Sequence, residues 1–378
     1  MAIDDGSTQR GIRMQWLDLA FVHWRADPAQ IAALLPPSLE VEQFDGSAWI
    51  GLVPFTMRGT AFASRVRIPF ASDFLECNVR TYVRARMVHG VPAPTHRGVW
   101  FLSLDATSLV AVLGARTRWH LPYLWSRMQM RMESRSSDGC SEFRDYCIKR
   151  RFGGARGSVQ WTRHERISTD QVTALDAFLT DRDRLYSYDG RRTWVGVVHH
   201  DPWPLHRATL HHVATALVRE RGVDPLGDAI ICATPGVESL GDPLTPLFAP
   251  VVFFDGECAF CHRVVQRVMS IDRHCRLRFA PLQGKTYASV AVAGKPDAAT
   301  LSTMVLLDEE GIWTRSDAVV RALRECGGAA SVVAAALEIV PKRVRDWLYN
   351  AIAKRRTRMN NCDLLLAKRD AAHSRVLD

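Results

Sequence analysis

Residues 253–265 read FFDGECAFCHRVV: an apolar pair, an Asp-Gly turn, then Cys258 and Cys261 with His262 directly behind them. Three chemistries use a Cys-x-x-Cys pair: thiol–disulfide exchange, half of a zinc site and, when a histidine follows, attachment of a c-type haem. Each needs a different setting, so the neighbouring residues decide.

Upstream, VVFF (251–254) is a short continuous apolar run, the pattern of a buried strand. Downstream, CAFCHRVVQRVMSIDR (258–273) places Phe260, Val264, Val265, Val268, Met269 and Ile271 at helical spacing. LRFAPL (277–282) predicts a strand and 284–300 a loop with a short helix. TMVLLDEEGIWTR (303–315) predicts a hairpin, and SDAVVRALREC (316–326) a helix ended by Gly327 and Gly328. The order β-α-β, hairpin, helix describes a compact α/β unit. VVAAALEIV and DWLYNAIAKRR then form a helical appendage.

Haem attachment belongs to exported chains, and the opening MAIDDGSTQRG has two acids and no apolar core, so no secretory signal is expected. Zinc needs four ligands, and a continuous helix carries His274, the nearest candidate, about 20 Å away at about 1.5 Å per residue. A dithiol fits the setting: cysteines three apart at a helix start lie one above the other. The helix dipole favours a thiolate on the first of them. Cys258 is expected to be the exposed nucleophile and Cys261 the resolving thiol. Glu257 opposes a thiolate by its charge, and His262 or Arg263 offsets it. Two unreactive buried cysteines on a helix stay open as the alternative.

The 378 residues suggest two domains. SLGDPLTPLFAP (239–250) is the boundary, giving domains at 1–245 and 250–378. No run of eighteen apolar residues exists, so no membrane span is expected. Nine cysteines without an export signal point to a reducing cytosol. The net charge of +9 is mostly scattered arginine. Its one cluster, residues 341–378 with ten Lys/Arg and four Asp, reads as a solvated helix face, so no nucleic-acid partner is expected.

In the first domain, LDLAFVHW (17–24), AWIGLVPF (48–55), ECNVRTYV (76–83) and GVWFLSLD (98–105) predict strands. DPAQIAALL (27–35), SLVAVLGAR (108–116) and TDQVTALDAFL (169–179) predict short helices. The fold class is thus α+β and β-rich, a mainly antiparallel sheet or barrel. Alternation puts Phe74, Glu76, Asn78, Arg80 and Tyr82 on one strand face and Cys77, Val79, Thr81 and Val83 on the other. On that face Arg80 would hold a small anionic ligand, or the face is simply solvated. In VHHDPWPLHRATLHH (198–212), His206, His211 and His212 lack the spacing of a helical metal pair, and His200 reads as a structural turn residue.

FFDGECAFCHRVVQRVMSIDR, LRFAPLQG, TMVLLDEEGIWTRSDAVVRAL and RDWLYNAIAKRRTR resemble the DCC family of thiol-disulfide oxidoreductases, which look thioredoxin-like. The family's Asp-Cys-Cys falls on Asp255, Cys258 and Cys261. The resemblance implies an α/β thioredoxin-like domain with protein-disulfide reductase activity, no cofactor, and a disulfide-containing protein or small thiol as partner. The residues before the 303–307 strand read TLS, where thioredoxins have a cis-proline.

MQWLDLAFVHWRADPAQIAALLPPSLEVEQFDGSAWIGLVPFTMRG, LECNVRTYVR, GVWFLSLDATSLVAVLGAR and HHDPWPL resemble the YqjF-like family, whose fold is similar to acetoacetate decarboxylase. That decarboxylase uses a lysine Schiff base. Here Pro122 and Tyr123 stand where its lysine pair would be, and Lys149 is the one lysine before Lys285. The resemblance therefore implies a ligand-binding domain without Schiff-base chemistry. Glu76, Asn78 and Arg80 of the alternating strand face, with Arg116 and Tyr123, are the candidate ligand contacts. A non-catalytic ligand-binding or redox-sensing protein is the alternative for the whole chain.

Overall fold

The computed structural model describes residues 11–62, 69–91, 96–134, 141–273, 275–297, 303–354 and 375–377. His274 and most of the basic cluster, residues 355–374, lie outside them. The chain divides into two compact units, Met1–Arg86 with Pro94–Pro246, and Met87–Ala93 with Leu247–Asp378.

The first unit opens with β1 (Ile12–Ala26), α1 (Pro28–Ala32), β2 (Leu39–Val41), β3 (Ala48–Phe62), β4 (Phe74–Ala85) and β5 (Arg97–Ala106). Helix α2 (Leu109–Arg118) precedes β6 (Tyr123–Ser134), β7 (Glu142–Arg150) and β8 (Arg156–Arg166). Then come α3 (Ala174–Thr180), β9 (Arg184–Tyr188), β10 (Thr193–His200), β11 (His206–Val213), α4 (Ala216–Arg219), β12 (Leu226–Gly241) and β13 (Thr245–Pro246).

These strands form one branched sheet, and two of its forks close it on itself. β5 pairs with β4, β6 and β9; β12 pairs with β1, β10 and β11. The forks close two rings that share β1, β3, β4, β5 and β12: one is completed by β9 and β10, the other by β6, β7, β8 and β11. The ring with β6 to β8 is solid. Its core includes Ala20, Val22, Trp24, Ile50, Leu52, Cys77, Val79, Tyr146 and Trp161. The Tyr146 hydroxyl donates to the carbonyls of Phe55 (3.1 Å) and Glu76 (2.9 Å), pinning β3 to β4.

Strand side chains alternate between faces, so a strand lining two interiors must serve both. In β1, Ala20, Val22 and Trp24 enter the solid ring, whereas Leu19 and Phe21 enter the other. Met14 and Trp16, of the opposite parity to Leu19, join Leu19 and Phe21 in the same cluster. The alternation resets at Asp18, whose φ is +53° and beside which the β1–β3 register shifts. A left-handed non-glycine residue is strained. Arg144 holds Asp18 there, donating to its carboxylate at 2.7 Å. Opposite, Gly236 has φ +130°, and a Cβ there would lie 2.0 Å from the Trp16 carbonyl oxygen, so no larger residue fits.

The second unit contains β14 (Val251–Phe254), α5 (Ala259–Ile271), β15 (Arg278–Pro281), α6 (Lys285–Ser289), β16 (Val305–Asp308), β17 (Gly311–Thr314) and α7 (Arg315–Cys326). Helices α8 (Gly328–Ile339) and α9 (Lys342–Ala353) follow. The sheet order is β15-β14-β16-β17, with β14 and β15 parallel and the other pairs antiparallel. VVFF is apolar throughout because both faces are covered. Val252 and Phe254 pack with Cys261 and Val265 of α5 and Ala318 of α7, while Val251 and Phe253 pack with Tyr287 of α6. Among the described residues no helix is long and apolar enough to cross a membrane.

Candidate functional site

In each unit the described residues bring chemistry-bearing side chains to a cavity. In the second unit, Cys258 is the N-cap of α5, and its Sγ accepts the Cys261 N–H at 3.3 Å. Both cysteines are in the dithiol form. Asp255 builds the preceding turn: its Oδ1 accepts from the Glu257 N–H (3.0 Å) and from Gln283 Nε2 (3.1 Å), and Gln283 Oε1 accepts from the Gly256 N–H (3.1 Å). His262 closes the turn, donating from Nε2 to the Gly256 carbonyl at 2.7 Å and meeting Phe254 edge-on. Glu257 is exposed.

Cys258 is 3% exposed, so the expectation of an exposed nucleophile is not met. The reason is the cap itself: the side chain folds inward over the first helical turn and joins Val252, Phe254 and Leu306 in the core. Cys261, 8% exposed, lines an apolar cavity of about 360 Å³ together with Asp255, Phe260, Met304, Leu348 and Ile352. Tyr349 of α9 accepts the Met304 N–H at 2.8 Å, fixing that helix against the entrance to β16.

In the first unit, the ring completed by β9 and β10 encloses a cavity of about 650 Å³. Phe74, Glu76, Asn78 and Arg80 line it from β4, while Cys77 and Val79 face the solid ring. Glu76 is 2% exposed and accepts a hydrogen bond from the Tyr123 hydroxyl at 2.8 Å. Burial pushes its pKa from 4.5 up to about 8; the Tyr123 bond works against this and the nearby Asp105 charge adds to it. Burial likewise pushes Tyr123 well above its ordinary range.

Arg80 donates from Nη2 to the Leu179 carbonyl at 2.9 Å, and the Tyr82 hydroxyl donates to the same oxygen at 2.6 Å. His23 Nε2 lies 2.6 Å from that hydroxyl and must therefore be its donor. Burial, reinforced by Arg80, holds His23 well below the ordinary histidine range, so the ring is neutral. Below the cavity wall, Asp105 and Arg150 form a buried two-pronged ion pair, with Nε–Oδ1 and Nη2–Oδ2 both at 2.9 Å. Ser126 donates to the same carboxylate at 2.6 Å.

Residues 13–238 match DUF2071, a family described as an uncharacterized conserved protein, and this span is more than half of the 378 residues. The chain belongs to the DUF2071 family. Residues 252–362 match the DCC1-like thiol-disulfide oxidoreductase family, so the DUF2071 domain is followed by a DCC1-like domain. The DUF2071 part is similar to the uncharacterized protein YqjF of Bacillus subtilis, 33% identical over 223 residues, 57% of this chain and 85% of YqjF. The C-terminal part is similar to a chloroplastic DCC family protein of Arabidopsis thaliana, 28% identical over 119 residues, 30% of this chain and 69% of the relative. Among solved structures, acetoacetate decarboxylase from Legionella pneumophila is similar at a TM-score of 0.43 and 14% identity, over 63% of this chain and 87% of that one.

The DUF2071 cavity has no lysine in its wall: Lys149 is exposed on β7, a strand of the solid ring only. Of the candidate contacts, Glu76, Asn78, Arg80 and Tyr123 line the cavity and Arg116 does not. Ala111, Ala115 and Arg118 of α2 do, at helical spacing, which leaves Arg116 on the exposed side, its Nη1 directed at the Tyr123 carbonyl (3.5 Å). Tyr82 sits on the Glu76 side of the strand but packs with Phe178 and Leu179 beyond the cavity.

The histidines are dispersed. His199 meets Asp242 (2.9 Å), His206 donates to the His164 carbonyl (2.8 Å), His211 meets Thr162 (2.8 Å), and His212 meets Ser158 (2.9 Å). His200 meets Trp203 at a tilt of 49° beside the Pro-rich turn, with ring centroids 4.8 Å apart. Among the described residues no three His, Cys, Asp or Glu side chains come together as a metal site. The sequence reading did not single out Trp16, Thr60, Arg182, Arg184 and Trp203, which also line the cavity. They come from strands and loops far apart in the chain, and no local spacing marks them. Gln283 carried no signal either, because its role is to clasp a turn 27 residues earlier.

Proposed function

We propose that the DCC1-like domain carries out thiol–disulfide exchange through Cys258 and Cys261. The observation behind this reading is the Cys258 Sγ seated on the Cys261 N–H at the first turn of α5, which is the hydrogen bond and dipole environment a thiolate uses. Cys258 Sγ attacks one sulfur of a substrate disulfide; that S–S bond breaks, a mixed disulfide forms and one substrate thiol leaves. Cys261 Sγ then attacks Cys258 Sγ, releasing the second thiol and leaving a Cys258–Cys261 disulfide. Two electrons pass to the substrate, a disulfide-containing protein or the oxidised form of a small thiol, and an external dithiol returns them in a reducing cytosol.

Asp255 shapes the turn in this reading, as do His262 from behind and Gln283 from the turn after β15. The DUF2071 domain supplies a cavity for a small anionic ligand, with Glu76, Asn78, Arg80 and Tyr123 as its polar contacts. The test is insulin-disulfide reduction by the full-length protein under dithiothreitol. Cys258→Ser is expected to lower the rate at least tenfold, and Cys261→Ser to accumulate a mixed disulfide at Cys258, visible by mass spectrometry. Equal rates for wild type and Cys258→Ser would sink the catalytic reading.

Burial of both cysteines favours a second reading, a redox sensor in which the DUF2071 cavity carries the function. A sensor forms the Cys258–Cys261 disulfide in a glutathione titration without turning over insulin; an exchange enzyme does both.

A further inference from the structure

We propose that the cavity of the DUF2071 domain binds an amphiphilic monocarboxylate, its carboxylate on Arg80 and an apolar body of about eight to twelve carbons along the ring interior. This rests on reading the cavity as a ligand site and adds the ligand's chemical class.

Charge carries the argument. Four arginines line the cavity: Arg80, Arg118, Arg182 and Arg184. Arg182 is matched by Glu42 at 2.6 Å, Arg184 by Asp183 at 2.6 Å, and Arg118 is exposed on α2. Arg80 is drawn in among rings, 5.2 Å from the centroid of Phe21 and 5.7 Å from that of Tyr82. Among the described residues it has no carboxylate within ion-pair distance, and its Nε is buried without a hydrogen-bond partner. Arg80 is half-buried, so its guanidinium is partly stripped of water without a counter-charge, and a carboxylate supplies both the charge and the acceptor its Nε lacks.

A second observation points the same way. Trp16 Nε1, a donor, and Thr60 Oγ1, both from lining residues, are unpartnered and suit a carboxylate; Asn78, 5% exposed and next to Arg80 on the cavity face, has an unpartnered Oδ1, an acceptor that marks a polar place in the wall without itself serving the carboxylate. Polar atoms left unmatched in a wall are rare in folded proteins and mark places a ligand completes. Glu76 does not repel the carboxylate, because burial keeps it protonated near neutral pH. Most of the rest of the wall is apolar, with Val53, Phe55, Leu104, Trp119, Leu185 and Trp203, which suits a hydrocarbon body; the one further carboxylate in it, Asp242, is met by His199 at 2.9 Å.

The test is calorimetric titration of the full-length protein with hexanoate, octanoate, decanoate, octanol and octylamine, with quenching of tryptophan fluorescence as a second readout. Octanoate is expected to bind at least tenfold tighter than octanol. Each two-carbon extension from hexanoate to decanoate should tighten binding roughly tenfold. Arg80→Gln should bring octanoate to the level of octanol while leaving octanol unchanged; the wild-type headgroup series decides the matter if that variant does not fold. Octanol or octylamine binding as tightly as octanoate overturns the carboxylate assignment and leaves the cavity a ligand site. Absence of binding by every probe overturns both.

Discussion

Glu76→Gln is expected to leave stability nearly unchanged at pH 4 and to raise it by about 4–5 kcal/mol at pH 9. The carboxyl titrates at 4.5 in its ordinary state and at about 8 in the fold. Below pH 4.5 both the folded and unfolded chains hold the proton, so the group has no effect on the balance. Between 4.5 and 8 the unfolded chain has released it and the folded chain has not. Folding then loses about 1.4 kcal/mol per pH unit, and the loss levels off above pH 8. Glutamine has no proton to lose and still offers Tyr123 an acceptor, so the variant escapes this loss. Chemical denaturation of both proteins from pH 4 to 9 gives the comparison. Parallel stability curves would show that Glu76 is not held as a neutral acid.

Asp105→Ala should cost about 3–5 kcal/mol, because it leaves Arg150 charged in the interior. Arg150 is 3% exposed and Asp105 fully buried, and the pair is joined by two hydrogen bonds, with Ser126 completing the carboxylate. Glu220 still reaches Arg150 Nη1 at 2.6 Å, which places the expected loss toward the lower end of the range. The double variant Asp105→Leu with Arg150→Met removes both charges and should recover much of the loss, since well-packed apolar residues replace buried pairs at little cost. Urea denaturation at pH 7 measures all three. A cost below about 1 kcal/mol for Asp105→Ala would mean that Arg150 finds water or another acid.

Much of this architecture was legible in the residues. VVFF, the Asp-Gly turn and the helical spacing after Cys258 are local signals, and each element formed where its own sequence placed it. The alternation of Glu76, Asn78 and Arg80 against Cys77 and Val79 was legible for the same reason, because period two is a property of one strand. The forked sheet was not, since pairing partners such as β5 with β9 are set by contacts about 85 residues apart. Nor was the parity reset at Asp18: WLDLAF gives no outward mark of a left-handed residue. That Arg116 stands off the cavity wall while Ala115 lines it is a matter of helix phase, where one position turns a side chain by about 100°. The burial of Cys258 depends on which way a capping side chain folds, which the motif spacing leaves open.

The wall of β1, β3 and β4 has a filled interior on one side and a hollow one on the other. Neighbouring residues on a single strand therefore answer to different constraints. Cys77 and Val79 pack into the solid ring, while Asn78 and Arg80 between and beside them face the hollow. Residues that line the hollow are thus interleaved along the strand with those that fill the solid ring, and Glu76, which lines the hollow yet shifts the folding balance with pH, belongs to both. A scaffold partitioned this way can diversify its chemistry one strand face at a time, with the opposite face serving as its fixed frame.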